Sequence, residues 1–215
     1  MIDFYKIKKY CINLESRPDR KKSVSREFNK AGINVKFWNA IDGSQCSIPI
    51  TCAKSSEYNV VGIIGCLMSH IGLIKHAKEH NYEYICIFED DIALCADFLE
   101  RIKIIEKKNL NFDMLYLGGH FEEGKVKATS DKYFFKADAI AGTYAYILHN
   151  TIYDFILNNS SMNLGIDQFY VEMVQKKFEC FAFLPFFVDH LDGISDIALG
   201  KGVYPLTHKH YKNRL

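Results

Sequence analysis

The stretch ICIFEDDIAL, Ile85 to Leu94, ends an apolar run on three consecutive carboxylates, Glu89, Asp90 and Asp91. Its unbroken apolar residues before the acids read as a strand buried on both faces, the kind found in parallel sheets covered by helices. Ligands of such sheets bind outside the carboxyl ends of the strands, and the acids lie at such an end. Left alone, three adjacent carboxylates repel one another and raise one or more of their pKa values. A hard divalent cation, which prefers carboxylate oxygen, would offset that repulsion. The plainer alternative is that Asp90 and Asp91 cap the following helix as solvated charges.

Strand and helix patterns alternate outward from this stretch. KIKKYCINL (6–14) reads as a strand, and SRPDRKKSVSREFNKAG as a helix with Ser16 as N-cap, Pro18 early and Gly32 as its stop. VKFWNAIDG (35–43) is a strand and a turn, and 44–60 is a long polar loop. In GIIGCLMSHIGLIKHAKEH, Ile63, Leu67, Ile71, Ile74 and Ala77 recur at helical spacing. Residues 97–108 are a helix with Phe98, Ile102 and Ile105 on one face, and 113–119 a strand. Further on come strands in YFFKADAI and GTYAYILH and a short helix from Asn150. GIDQFYVEMVQKK is a helix through Ile166, Tyr170, Met173 and Val174, and 178–187 a closing strand. The order predicts an α/β fold, a mostly parallel central sheet with helices on both faces. No repeat or Pro/Gly/Ser linker interrupts it, so residues 1–215 read as a single domain.

Composition narrows the function. With 215 residues, 48% of them hydrophobic, the chain is large enough for a real core. Twenty-seven Lys and Arg nearly balance twenty-six Asp and Glu, so no global field attracts nucleic acid. Seven cysteines without a CxxC pair argue for a reducing, cytoplasmic compartment rather than a disulfide framework or a zinc site. The N-terminus has no apolar h-region, and no segment approaches the ~18 apolar residues that span a bilayer. After Asp196 only basic charges follow: Lys201, Lys209, Lys212 and Arg214, with His208 and His210. This tail (about 201–215) is either simply solvated or a peripheral contact with an anionic inner membrane.

Cys66 and His70 lie four apart, on one helical face, with Ser69 beside them. On their own they allow a thiol nucleophile, a metal pair or, more commonly, structural core residues. Asp167 follows Gly165 at a helix start, where capping is the plain role. Gly118 and Gly119 end a central strand and leave room for close approach of a ligand.

YCINLESRPDR, AIDG, GIIGCLMSH, IFEDDIAL, GTYAYILH, GIDQFY and a late SDI occur in that order between about residues 8 and 197. In this ordered set the chain resembles glycosyltransferase family 25, the lipooligosaccharide-type enzymes of bacteria related to procollagen galactosyltransferases. The resemblance implies a GT-A-type fold, a UDP-sugar donor (UDP-galactose in many members), Mn²⁺ or Mg²⁺, and an inverting transfer to a glycan or lipid-linked oligosaccharide acceptor. It makes the acidic triplet the metal-binding motif: Asp91 as ligand, Glu89 as a donor contact, Asp90 as a helper. It places Asn13 at a base or ribose edge, Arg17 (ahead of Arg20) at phosphate, and Ser69 and His70 on the donor pocket. His190 becomes either a further metal ligand, as a late histidine is in many GT-A enzymes, or a plain surface histidine, and Asp167, with Asp189 second, the base that deprotonates the acceptor hydroxyl.

Two other readings fit parts of the pattern. A nucleotidyltransferase shares such a fold, but INLESRPDR lacks the glycine-rich nucleotide loop expected near the first strand. A non-catalytic sugar-nucleotide or glycan-binding module would keep the pocket without turnover.

Overall fold

The computed structural model describes residues 2–46, 59–108, 110–121, 125–160, 164–191 and 197. The basic tail and most of the 44–60 loop lie outside these residues.

Strand β1 (Lys8–Asn13) leads into helix α1 (Pro18–Lys30) and β2 (Lys36–Asn39). Helix α2 (Val60–Glu79) precedes β3 (Tyr84–Glu89), the short β4 (Ile92–Leu94) and helix α3 (Phe98–Lys108). Next come β5 (Met114–His120), β6 (Val126–Ala128), β7 (Phe134–Ala137) and β8 (Ala141–His149). Helices α4 (Tyr153–Asn159) and α5 (Ile166–Phe169) are followed by β9 (Cys180–Phe183) and β10 (Val188–His190).

Eight strands form one sheet in the order β2-β1-β3-β8-β5-β9-β7-β6, and β10 pairs with β4 in a small second sheet. Pairing is parallel for β2-β1-β3 and β5-β9 and antiparallel at β8 and β7. Six strands therefore share one direction, and β7 and β8 run against them. The expected α/β class holds, with a more mixed sheet than the alternating pattern implied.

Alternation along β3 divides the core. Ile85 and Ile87 join Leu67, Leu73 and Ile74 of α2 on one face of the sheet. Cys86 and Phe88 join Phe28 of α1 and Phe98, Ile102 and Ile105 of α3 on the other. Each such side chain contributes about 1.5–3 kcal/mol on burial, so the charged end of β3 is held on a rigid base.

Several local expectations shift. Arg17, not Ser16, is the N-cap residue of α1, and Pro18 takes the first helical position, where its missing N–H costs nothing. The buried stripe of α2 runs through Ile64, Leu67, His70, Leu73, Ile74 and Ala77, leaving Ile63 and Ile71 at its margin. By length and composition α2 could cross a membrane, contrary to the expectation that no segment could; its apolar stripe is instead packed into the core. After α5 the chain makes a π turn over Tyr170–Val174, with Gln175 N–H donating to Tyr170 O. That extra residue per turn rotates Met173 outward to an exposed position and brings Gln175 into the core.

Candidate functional site

The carboxyl ends of β1 and β3 are adjacent, because Ile12 pairs with Glu89. The strand period then sends the three acids different ways. Glu89 continues the Ile85–Ile87 face toward α2, where Thr143 Oγ1 of β8 donates to its Oε1 and His70 Nε2 lies 3.6 Å from the same oxygen. Asp90 accepts from Asn13 Nδ2 at 2.6 Å and from Arg20 Nη1 at 3.2 Å. Asp91 meets Arg20 Nη1 at 2.9 Å and His190 Nε2 at 3.2 Å, both through Oδ2. Hence Asn13, Asp90, Asp91 and His190 converge. The arginine that joins them is Arg20.

Arg17 turns to its neighbour instead. Its Nε and Nη2 donate to Asp19 at 3.0 and 2.9 Å, and this bidentate contact first of all pulls the Asp19 carboxyl down to about 2. Helix α1 explains the difference. Arg17 has non-helical backbone angles at the cap, whereas Arg20 lies within the first turn.

Electrostatics separate the adjacent acids. Burial raises Asp90 above its ordinary value despite its bonds to Asn13 and Arg20. Burial also pushes Asp91 upward, but the hydrogen bond and charge of His190, with the charge of Arg20, outweigh it and hold Asp91 low. For His190, burial lowers the imidazole, yet Asp91 and the charge of Glu89 leave it above its ordinary value. Asp91 is thus the more firmly ionised of the two. Its Oδ1 is buried and accepts no hydrogen bond from any described residue. A carboxylate oxygen without a donor, next to an imidazole nitrogen, fits Mn²⁺ or Mg²⁺, with the imidazole favouring Mn²⁺.

Ser69 is fully buried and its hydroxyl is engaged. It accepts from Ile41 N–H at 2.8 Å and donates to Gly65 O at 2.6 Å, tying the AIDG turn to α2. The same junction explains two glycines: a Cβ on Gly43 would lie 1.9 Å from Val61 O, and one on Gly65 2.6 Å from Ile41 O. At Gly118 and Gly119 the space is filled by protein, with Val188 O 2.5 Å and Ile140 Cγ2 2.9 Å from the added carbons. These glycines admit neighbouring chain rather than a ligand.

Asp167 sits at the start of α5, whose N-cap is Gly165, and its Oδ1 accepts from Gln168 N–H at 2.8 Å. Its charge bears on Cys66 and His120, so it overlooks the Glu89 side of the site. Asp189 lies within β10, opposite Ala93.

Strand β8 supplies groups that sequence reasoning missed. Thr143 holds Glu89, the Tyr144 hydroxyl meets His120 Nδ1 at 2.9 Å, and the Tyr146 hydroxyl meets His70 Nδ1 at 2.6 Å. Tyr144 also packs its ring against His190, 4.9 Å between centroids. Gly142, at φ +76, brings the strand in: a side chain there would lie 2.9 Å from both His120 Nδ1 and the Tyr144 ring. Polar side chains at 143, 144 and 146 of an otherwise apolar strand were the available signal.

Comparison with known proteins shows what the chain as a whole is similar to. The family model described as Glycosyltransferase family 25 (LPS biosynthesis protein) matches residues 6–170. A putative glycosyltransferase of Haemophilus influenzae is 37% identical over 101 residues, 44% of this chain and 36% of that protein. Procollagen galactosyltransferase 1-A of Xenopus laevis is 27% identical over 125 residues, 51% of this chain. The chain thus matches about a third of the length of the first relative and 20% of the second. A crystal structure of a glycosyltransferase involved in the glycosylation of the major capsid of PBCV-1 shares 11% identity, 81% coverage of both chains and a TM-score of 0.44.

Proposed function

The chain belongs to glycosyltransferase family 25, and on that premise we propose that it transfers a hexose, galactose, from a UDP-sugar to a hydroxyl of a glycan or lipid-linked oligosaccharide acceptor, with inversion. The observation that carries this reading is the meeting of Asn13, Arg20, Asp90, Asp91 and His190 at the carboxyl ends of two parallel strands, with a buried Asp91 oxygen left without a donor among the described residues. Such a place suits a nucleoside diphosphate and its counter-ion.

Asp91 and His190 would hold Mn²⁺ or Mg²⁺, which when bound supplies Lewis-acid stabilisation of charge on the leaving diphosphate. The chain's own residues do the rest. Asn13 and Arg17 border the end of β1 and bind the nucleoside and phosphates. Arg20 favours the charged form of both acids and orients them, and would turn its guanidinium to phosphate when one arrives. Asp167 accepts the proton of the acceptor hydroxyl as that oxygen bonds to the anomeric carbon, and the bond from that carbon to UDP breaks on the opposite face. His70 and Glu89 line the sugar side. In this reading the enzyme works at the cytoplasmic face of the inner membrane, with the 201–215 segment touching anionic lipid.

The test is metal-dependent hydrolysis of a panel of UDP-sugars, with UDP affinity measured beside it. We expect slow release of UDP from UDP-galactose with Mn²⁺, and loss of metal-dependent UDP binding in Asp91→Asn. UDP binding that ignores both the metal and substitutions at 89–91 would overturn the site, and binding without turnover on any acceptor would favour a binding module.

A further inference from the structure

A second cluster lies beneath the Glu89 arm, on the opposite side of β3 from Arg20. Cys66 Sγ, His70 Nε2 and a Glu89 carboxylate oxygen fall within 4.8 Å of one another. Cys66 and His70 share one face of α2, and the strand period of β3 delivers Glu89 to it. The sequence alone offered only the Cys–His pair; the third group comes from the fold.

His70 is the informative member. It is fully buried, and its Nε2 makes no hydrogen bond to any described residue. Glu89 Oε1 is 3.6 Å away, beyond hydrogen-bonding length. A buried polar atom left unsatisfied is costly, so it points to an absent partner. The other ring nitrogen is fixed: Nδ1 meets the Tyr146 hydroxyl at 2.6 Å, and that hydroxyl is backed by Tyr170 at 3.3 Å. With the proton on Nδ1 and donated to Tyr146, the Nε2 lone pair points toward Cys66 and Glu89. A metal-ligating histidine usually donates its other ring N–H to an outer acceptor that sets tautomer and ring angle, and the Tyr146 hydroxyl is placed to be that acceptor. Thr143 supports Glu89 in the same way.

We propose that Cys66, His70 and Glu89 form a binding site for a borderline-soft divalent cation of the Zn²⁺ class, separate from the oxygen-rich Asp91–His190 pair. Thiolate, imidazole and carboxylate together are a zinc donor set, and a thiolate disfavours Mg²⁺. Bonds of about 2.0–2.3 Å give tetrahedral edges of roughly 3.3–3.8 Å, so the widest pair need close by only about 1 Å. Burial first, then the charges of Glu89, Asp167 and Asp91, push the Cys66 thiol upward, so it stays protonated until a cation displaces the proton. Binding replaces the thiol proton by the metal, Cys–SH + Zn²⁺ giving Cys–S–Zn⁺ + H⁺. Since Glu89 is also the donor contact in the proposed function, and on that reading alone, zinc and UDP-sugar oppose each other.

The experiment is a Co²⁺ titration of the reduced full chain, read by absorption and without any turnover. Wild type is expected to develop a near-ultraviolet thiolate-to-cobalt charge-transfer band saturating at one equivalent and erased by Zn²⁺. Cys66→Ser should abolish the band while far-ultraviolet circular dichroism stays native. Tyr146→Phe should keep the band but weaken Co²⁺ affinity roughly 10–100-fold, a readout that survives even if the Cys66 variant misfolds. Asp91→Asn should leave the band intact. Absence of the band in wild type, its persistence in folded Cys66→Ser, unchanged affinity in Tyr146→Phe, or its loss in folded Asp91→Asn would each overturn the proposal. Failure of UDP-sugar hydrolysis would leave the band untouched, so the two readings fail separately.

Discussion

Arg20 Nη1 lies 2.9 Å from Asp91 Oδ2 and reaches Asp90 Oδ1 with the same nitrogen at 3.2 Å. All three side chains are mostly shielded, at 15, 15 and 9% exposure for Arg20, Asp91 and Asp90. Removing the cation would leave two adjacent carboxylates in a poorly solvated place with Asn13 and His190 but no guanidinium between them. Arg20→Met is therefore expected to cost about 3–5 kcal/mol in urea denaturation. Adding Asp90→Asn should recover part of that loss, because one of the stranded charges goes too. A single variant within 1 kcal/mol of wild type would show that solvent, not Arg20, balances the acids.

The Asp91–His190 pair sets a pH window in the metal-free protein. His190 is held above its ordinary value of 6.5, so its contribution is fully present below that pH and fades as pH rises through the folded-state pKa. Asp91 is held below its ordinary 3.8, so its contribution is present above that pH and fades as pH falls through the folded-state pKa. Both operate together between about pH 4 and 6.5. The difference in melting temperature between wild type and His190→Gln should be greatest there and shrink toward alkaline pH. A difference that grew with pH would mean that His190 is neutral beside Asp91.

Two glycines test whether the AIDG turn is docked on α2 as described. A Cβ at Gly43 would meet Val61 O at 1.9 Å, a backbone atom that cannot swing aside, and one at Gly65 would meet Ile41 O at 2.6 Å. Both alanine variants should lose stability, by about 1–3 kcal/mol or more, with Gly43→Ala the worse. Gly32→Ala provides the contrast, since nothing lies near its Cβ and only the positive φ of 62 resists. Equal losses at Gly43 and Gly32 would remove the close contact as the cause.

Most of this architecture was legible because it rests on short-range pattern. The apolar run of β3 and the Phe98–Ile102–Ile105 stripe of α3 each carry their own period, and both appear as read. The acids at the end of β3 could be placed for the same reason. What pattern could not show was which partners the fold brings across tens of residues. Arg20 reaches Asp90 and Asp91 only because α1 begins at Pro18 and puts it in the first turn, and Thr143, Tyr144 and Tyr146 meet the site only because β8 inserts antiparallel between β3 and β5. The mixed direction of the sheet was hidden similarly: β8 has the composition of any buried strand. Met173 was misplaced because a π turn leaves no mark in hydrophobic spacing.

Asp167 and Asp189 are competing candidates for the base, and their settings differ in a way that kinetics can read. Asp167 is half-buried at the mouth of α5, and the absent side chain at Gly165 leaves room: a Cβ there would sit 3.0 Å from Asp167 Oδ1. Its charge acts on Cys66 and His120, on the Glu89 side where the sugar is proposed to lie. Asp189 is fixed in the β10–β4 ladder, beside the Asp91–His190 pair that is proposed to serve the diphosphate. A base must stand opposite the leaving group, which favours Asp167. Asp167→Asn should therefore lower kcat by roughly 10²–10⁴ while leaving UDP affinity and the KM for donor near wild type. Asp189→Asn should instead weaken donor or metal binding and lower stability. The reverse split, with kcat lost at 189 and donor affinity lost at 167, would exchange the two roles and turn the acceptor side of the site around.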